Sequence, residues 1–169
     1  MKKISSIITL LLLFGFIESN KIVFKSADGK TKITATKEWK AAGNMKGVEI
    51  YISKVINENI PDATLVVSKD TNLPAGTDLS TYSAGKLFLQ TSVLNSSPSF
   101  SGNKKIHGVP YIYYEYEYNS KDFVKMKTLV YHTLVLSTGY QMVITAPAKG
   151  FDQYKPLFNT IGNSLIIEH

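Results

Sequence analysis

IHGVPYIYYEYEYNS, residues Ile106–Ser120, and KMKTLVYHTLVLSTGYQMVITA, residues Lys125–Ala146, are two β-prone runs separated by a short polar break. Between them they hold seven of the chain's ten tyrosines. The pattern predicts adjacent antiparallel strands at the centre of one sheet. Period-two geometry places Ile112, Tyr114, Tyr116 and Tyr118 on one face of the first run. Tyr111, Tyr113, Glu115 and Glu117 take the other. On the second run Met126, Val130, His132, Leu134 and Leu136 share a face. Asn119–Asp122 is the hairpin connection, Ser137-Thr138-Gly139 a second turn, and Tyr140–Ala146 a further strand. Both faces of the first run carry tyrosine. At least one set therefore belongs to the core; such aromatic strands either pack under helices or form a platform for sugars, bases or a partner surface.

Downstream, Pro147–Gly150 breaks the sheet. Phe151, Tyr154, Leu157, Phe158, Ile161 and Leu165 then recur at three- and four-residue spacing, which predicts an amphipathic helix with an irregular first turn because of Pro156. Ile166–His169 reads as a tail. Upstream, Asn95–Lys105 (NSSPSFSGNKK) reads as a polar loop with a short edge strand near Phe100. Before it, Thr77 or Asp78 caps a helix to Leu94. Leu79, Tyr82, Leu89 and Val93 define its inward side, with Leu87 and Leu94 beside them. Earlier still come short strands at Ile22–Phe24, Lys32–Thr36, Val48–Ile56 and Ala63–Ser68, with turns at Asp28-Gly29 and around Pro61. Trp39, the only tryptophan, reads as a core plug at the sheet end.

Met1–Ser19 stands apart. Lys2 and Lys3 precede an apolar run, Ile4–Ile17, and Glu18 ends it. This is the pattern of a secretory signal peptide. The run is shorter than the roughly 20 residues needed to span a bilayer. Residues 1–19 are therefore predicted as a signal peptide and 20–169 as one domain. No repeat period and no dividing linker is visible. The expected location is exported, periplasmic or secreted, and the expected state is a monomer.

The net charge of +6 comes from nineteen lysines and no arginine. Nucleic-acid readers rely on arginine for bidentate contacts, so nucleic acid is not the expected partner. Weak attraction to anionic surfaces remains compatible with the lysine excess. With no cysteine, disulfides, thiolate metal sites and thiol nucleophiles are excluded.

Candidate chemistry is sparse. Glu115 and Glu117 project from one strand face about 7 Å apart, a spacing at which carboxylates share proton transfer or a hard cation. A solvated row paired with Lys125 and Lys127 explains the same residues. His132 sits among apolar residues and reads as a packed imidazole. No HExxH, G-x-S-x-G, P-loop or dinucleotide fingerprint occurs. No cofactor is expected.

The order of elements resembles a known family. The helix ending at Leu94, a polar loop, G-V-P-Y at Gly108–Tyr111, Y-Q-M-V-I-T-A at Tyr140–Ala146 and F-D-Q-Y-K-P-L-F-N-T-I-G-N-S-L at Phe151–Leu165 are similar to the PsbP-like family, which includes DcrB-like and LpqN-like exported bacterial proteins. Trp39 fits the same pattern. The resemblance implies an α+β fold, a single-domain α/β/α sandwich with a central antiparallel sheet flanked by helices. It also implies a non-enzymatic accessory or binding protein of the cell envelope. The expected partner is an envelope or secreted protein, contacted through Tyr111, Tyr113, Phe100, Lys104 and Lys105. The alternatives are a secreted metal-dependent hydrolase using Glu115, Glu117 and His132, and a carrier of an apolar ligand between helix and sheet.

Overall fold

The computed structural model describes residues 20–43, 45–56 and 62–168. The predicted signal segment and the turn around Pro61 lie outside them. Ten strands and two helices follow in order: β1 (Lys21–Lys25), β2 (Thr31–Thr36), β3 (Lys40–Ala41), β4 (Val48–Lys54), β5 (Ala63–Asp70), α1 (Leu79–Leu94), β6 (Phe100–Ile106), β7 (Val109–Asn119), β8 (Lys125–Val135), β9 (Thr138–Pro147), α2 (Phe151–Asn163) and β10 (Ile166–Ile167).

Seven strands form one antiparallel sheet in the order β3-β4-β5-β9-β8-β7-β6. The tyrosine-rich strands pair as read, Tyr113 opposite Tyr131 and Tyr114 opposite Val130. They do not form the centre, however. β9 is the middle strand, because β5 closes on its other side through Leu65–Ile144 and Val67–Met142. A smaller sheet, β1-β2-β10, recruits the residues expected to be a tail: Ile166 pairs with Lys32 and Ile167 with Thr31.

The fold is α+β, and its two outer layers differ. On one face α1 packs over Tyr114, Tyr116 and Val130 through Leu87 and Leu94. On the other face α2 and the small sheet share the cover. Phe151, Phe158 and Ile161 of α2 pack with Ile33 and Ala35 of β2, and with Ile52, Leu65, Leu129, Tyr131, Met142 and Ile144 of the large sheet. Trp39 is buried here, edge-on to Phe158 at 6.3 Å between centroids, as its reading as a core plug predicts. Lys69 on β5 adds a polar tie between the sheets, 3.0 Å from Glu49 on β4 and 3.4 Å from Asp28 in the β1–β2 turn.

Local chemistry explains the helix limits. The Asp78 carboxylate accepts from the Thr81 amide at 2.7 Å, and Asn95 ends α1 at φ 48°. α2 runs through Pro156, whose exposed ring faces solvent.

The inward side of α1 matches the expected one at Tyr82, Leu87 and Leu94 and departs from it at Leu89 and Val93. Tyr82 and Ser83 are buried, whereas Leu89 and Val93 are 57% and 82% exposed. The sheet beneath presents Asp70, His132 and Gln141, so the helix turns polar groups inward to meet them. Tyr82 donates to Asp70 at 2.7 Å, Lys86 sits 2.8 Å from the same carboxylate, and Gln90 accepts from Gln141 at 3.4 Å. Burying His132 and Asp70 under leucine would leave polar groups unsatisfied, at a cost of about 1–3 kcal/mol each. Leu136 is a second departure. It lies in the β8–β9 turn at φ 55°, exposed rather than on the inner face of β8.

The Tyr82 ring lies close against Gly139, where an added Cβ would meet ring carbons at 2.4 Å. Gly139→Ala is therefore expected to lower the free energy of unfolding by about 1–3 kcal/mol. A denaturant titration with an unchanged slope and a shifted midpoint would show it.

Candidate functional site

The edge strand expected near Phe100 is present and longer than read: β6 spans Phe100–Ile106, takes up much of the stretch read as loop, and forms one edge of the large sheet. Its residues Phe100, Gly102 and Lys104 pair with Glu115, Tyr113 and Tyr111 of β7, which places all six on the α2 side. Beyond the footprint of α2 this face opens into a cleft of about 460 Å³, lined by Phe100, Lys104, Tyr113, Glu115, Tyr131, Lys155, Asn159 and Asn163.

Aromatic rings form the floor. Tyr113 stacks on Tyr131 at 5.9 Å between centroids, and Phe100 lies 5.7 Å from Tyr113. Gly102 makes room for the Tyr113 ring. A Cβ there would come within 2.8 Å of it. The polar groups stand around this floor. Lys104 Nζ lies 4.2 Å above the Tyr131 ring and donates to Asn163 Oδ1 at 2.9 Å. Tyr131 donates to Asn159 Oδ1 at 3.1 Å, and Lys155 Nζ is 2.6 Å from Glu115 Oε1. Burial pulls the Lys104 ammonium below the ordinary lysine range and pushes the Tyr131 phenol well above its own. The site offers flat rings, one ammonium without a carboxylate partner among the described residues, and two amides. Such groups hold and orient a ligand by stacking and hydrogen bonding.

Of the five residues expected to meet a partner, three converge here: Phe100, Lys104 and Tyr113. Tyr111 does not. It shares the face but is only 2% exposed, packed in the core beside Ile106. Lys105 is exposed, but the alternation of β6 turns it to the opposite face. Tyr131 and the α2 residues Lys155, Asn159 and Asn163 were missed. Their signal was present, since four-residue spacing puts the three helix residues in one row flanking the predicted apolar stripe.

The hydrolase constellation does not assemble. Glu115 and Glu117 face the α2 side. His132 pairs with Ile112 and faces α1, so the sheet separates them. Glu115 is held by Lys155. Glu117 is paired with Lys125 and lies 4.0 Å from Lys127. Among the described residues no group of three or more His, Asp or Glu could hold a metal ion.

His132 belongs instead to a buried chain. Gln141 donates to Nε2 at 3.2 Å, so the neutral ring carries its proton on Nδ1 and donates to Ser83 Oγ at 2.9 Å. Ser83 in turn meets the Tyr114 hydroxyl at 3.1 Å. In this tautomer no base faces the buried Ser83, so the pair does not form an activated nucleophile. Beside α1, Asp70, Leu73, Pro74, Tyr82 and Leu89 line a groove of about 300 Å³. It opens to the surface rather than enclosing a ligand as the carrier reading requires.

No family model and no curated protein matches the chain. Solved structures do. The solution structure of cyanobacterial PsbP (CyanoP) from Synechocystis sp. PCC 6803 aligns at a TM-score of 0.67 and 15% identity, over 90% of this chain and 95% of that one. LpqN of Mycobacterium tuberculosis, described as involved in cell envelope biogenesis, aligns at 0.61 and 13% identity, over 88% and 91%. PA94 of Pseudomonas aeruginosa, a putative regulator of unknown function, aligns at 0.61 and 10%, over 89% and 99%. The protein therefore has the PsbP-like fold, as the order of its elements implied. At these identities the likeness is one of architecture.

Burial lowers the His132 pKa from 6.5 to about 4, with Lys86 adding to the depression and Asp70 opposing it. The unfolded chain binds this proton near pH 6.5 and the folded chain only near 4. Stability is thus fully present above pH 6.5 and lost as pH falls toward 4. The loss should be on the order of 3 kcal/mol. Denaturant titrations across this range should show that slope in the wild type, and His132→Gln should flatten it.

Proposed function

We propose that the protein is an exported, non-catalytic binding module of the cell envelope that docks a partner protein in the cleft between β6–β7 and α2. The observation that carries this reading is the cleft itself. Phe100 and Tyr113 present aromatic surface outside the packed core, and hydrogen-bonding groups surround them. Aromatic anchors ringed by polar groups are the usual composition of binding hot spots. The leader-like Met1–Ser19 segment supports export. The likeness to LpqN, itself described by its part in envelope biogenesis, supports the same setting. The carboxylates lend no competing acid–base reading, because each is engaged by lysine.

The test is recovery of a partner by the tagged full chain expressed in its own envelope, with fractionation to locate it. Wild-type protein should fractionate outside the cytoplasm and retain one specific protein. Tyr113→Ala should reduce that recovery at least about tenfold, as loss of a central aromatic anchor does. Gly102→Ala, which displaces the same ring without removing it, should reduce recovery to a smaller extent. Undiminished recovery by folded Tyr113→Ala protein would rule out the cleft as the docking surface.

A further inference from the structure

We infer that the occupant of the cleft is an acidic, extended segment of a partner protein, which adds as a further strand along β6 and seats a carboxylate on Lys104. The inference rests on the docking role proposed above and names the chemistry of the partner.

The first observation is the edge. β6 is a seven-residue terminal strand of the large sheet, without proline, and among the described residues only β7 pairs with it, along one side. The opposite edge strand, β3, has only two residues. The outer backbone N–H and C=O groups of β6 are a template for a partner strand, which would lie about 4.8 Å away. Alternate side chains of that strand would fall on the cleft side, within reach of Phe100 and Lys104.

The second observation is charge. Nine ion pairs occur among the described residues, and none includes Lys104. Lys155, the other ammonium in the cleft, is already engaged by Glu115. Lys104 instead rests over Tyr131 and donates to the neutral Asn163. An ammonium has three N–H donors, so further donors remain for a ligand. A half-buried cation held on an aromatic floor without a counter-charge favours an incoming anion.

The third observation is alternation. Lys105, next along the edge, is exposed on the other face. Successive residues of an added strand also alternate between faces. Two adjacent acids would therefore place one carboxylate toward Lys104 and the next toward Lys105. The same lysines oppose pairing of β6 with β6 of a second copy, since like charges would meet along the joint. The edge thus admits an acidic strand and discourages self-association.

The test is nuclear magnetic resonance titration of the purified, isotope-labelled full chain with the blocked peptide TVEEVT and its uncharged counterpart TVQQVT. Amide shifts should concentrate at Phe100–Ile106, with TVQQVT binding at least about tenfold more weakly. Lys104→Met, which keeps the stem packed on Tyr131, should abolish the difference between the peptides. Lys104→Arg should retain it. Equal binding of the two peptides, shifts away from β6, or no binding of either would overturn the inference. So would acetylglutamate binding as tightly as TVEEVT, since that would mean a small-carboxylate site with no strand. The partner-recovery experiment separates the two proposals. If recovery falls for Tyr113→Ala but stays intact for Lys104→Met, docking survives and the acidic-strand inference fails. If neither substitution matters, both fail.

Discussion

The structure depends on β8 being covered on both faces. Thr128, Leu129, Val130, Tyr131, His132 and Thr133 are consecutive and all buried. Such a strand cannot alternate between core and solvent, so each of its faces needs its own cover. Leu129 and Tyr131 belong to the core under α2 and the small sheet, and Val130 to the cluster under α1. The polar members are satisfied in place. Thr128 donates to the Ile144 carbonyl at 2.9 Å, Thr133 to the Pro110 carbonyl at 2.8 Å, and His132 is held between Ser83 and Gln141. These bonds restrict how the neighbouring elements can sit, because a shift of one residue would strand buried polar atoms.

The strands with strong β-branched or aromatic runs were legible in the sequence, as were both helices and the two faces of β7. Three features were legible only in part or not at all, each for its own reason. FSGNKKI shows an edge strand only near Phe100, because a strand over an open cleft has little core to contact and so lacks hydrophobic alternation along the rest of its length. Apolar spacing alone gives only part of the inward side of α1: it places Tyr82 correctly but turns Leu89 and Val93 inward as well. The sheet beneath it is polar at His132, Asp70 and Gln141, and satisfying those groups outweighs burying Leu89 and Val93. Tyr111 and Tyr113 lie two residues apart on the same face, so local pattern cannot separate them. One is buried and the other lines the cleft because of where distant chain segments end, and that is tertiary information.

The same account explains how much of the candidate site was visible. Phe100 and Lys104 stand out in the sequence as an aromatic and a basic residue in a polar segment, and Tyr113 as a member of the tyrosine-rich strand. Their convergence depends on β6 pairing with β7, and the α2 contribution depends on packing between elements more than fifty positions apart in sequence, as in the Lys104–Asn163 hydrogen bond. The Glu115–Glu117–His132 alternative could have been rejected from alternation and pairing alone. Once Ile112 is set opposite His132, the carboxylates and the imidazole fall on opposite sides of the sheet.

The cleft follows from how α2 is shared. The helix must cover the large sheet and also close against β2, where Ser164 bonds the Thr34 backbone from both sides at 2.8 and 3.0 Å. Gly162 lets it approach β8 and β9 closely, with room for a Cβ only 3.2 Å from Met142 and 3.6 Å from Tyr131. A helix drawn toward β2 and β9 cannot also cover β6 and β7 at the far side of the sheet. The residues left there must make a stable surface without a layer above them. Stacked rings topped by amides and lysines do so, because each ring keeps one face packed while the polar rim remains hydrated. An open cleft is thus a consequence of using one helix to close two sheets.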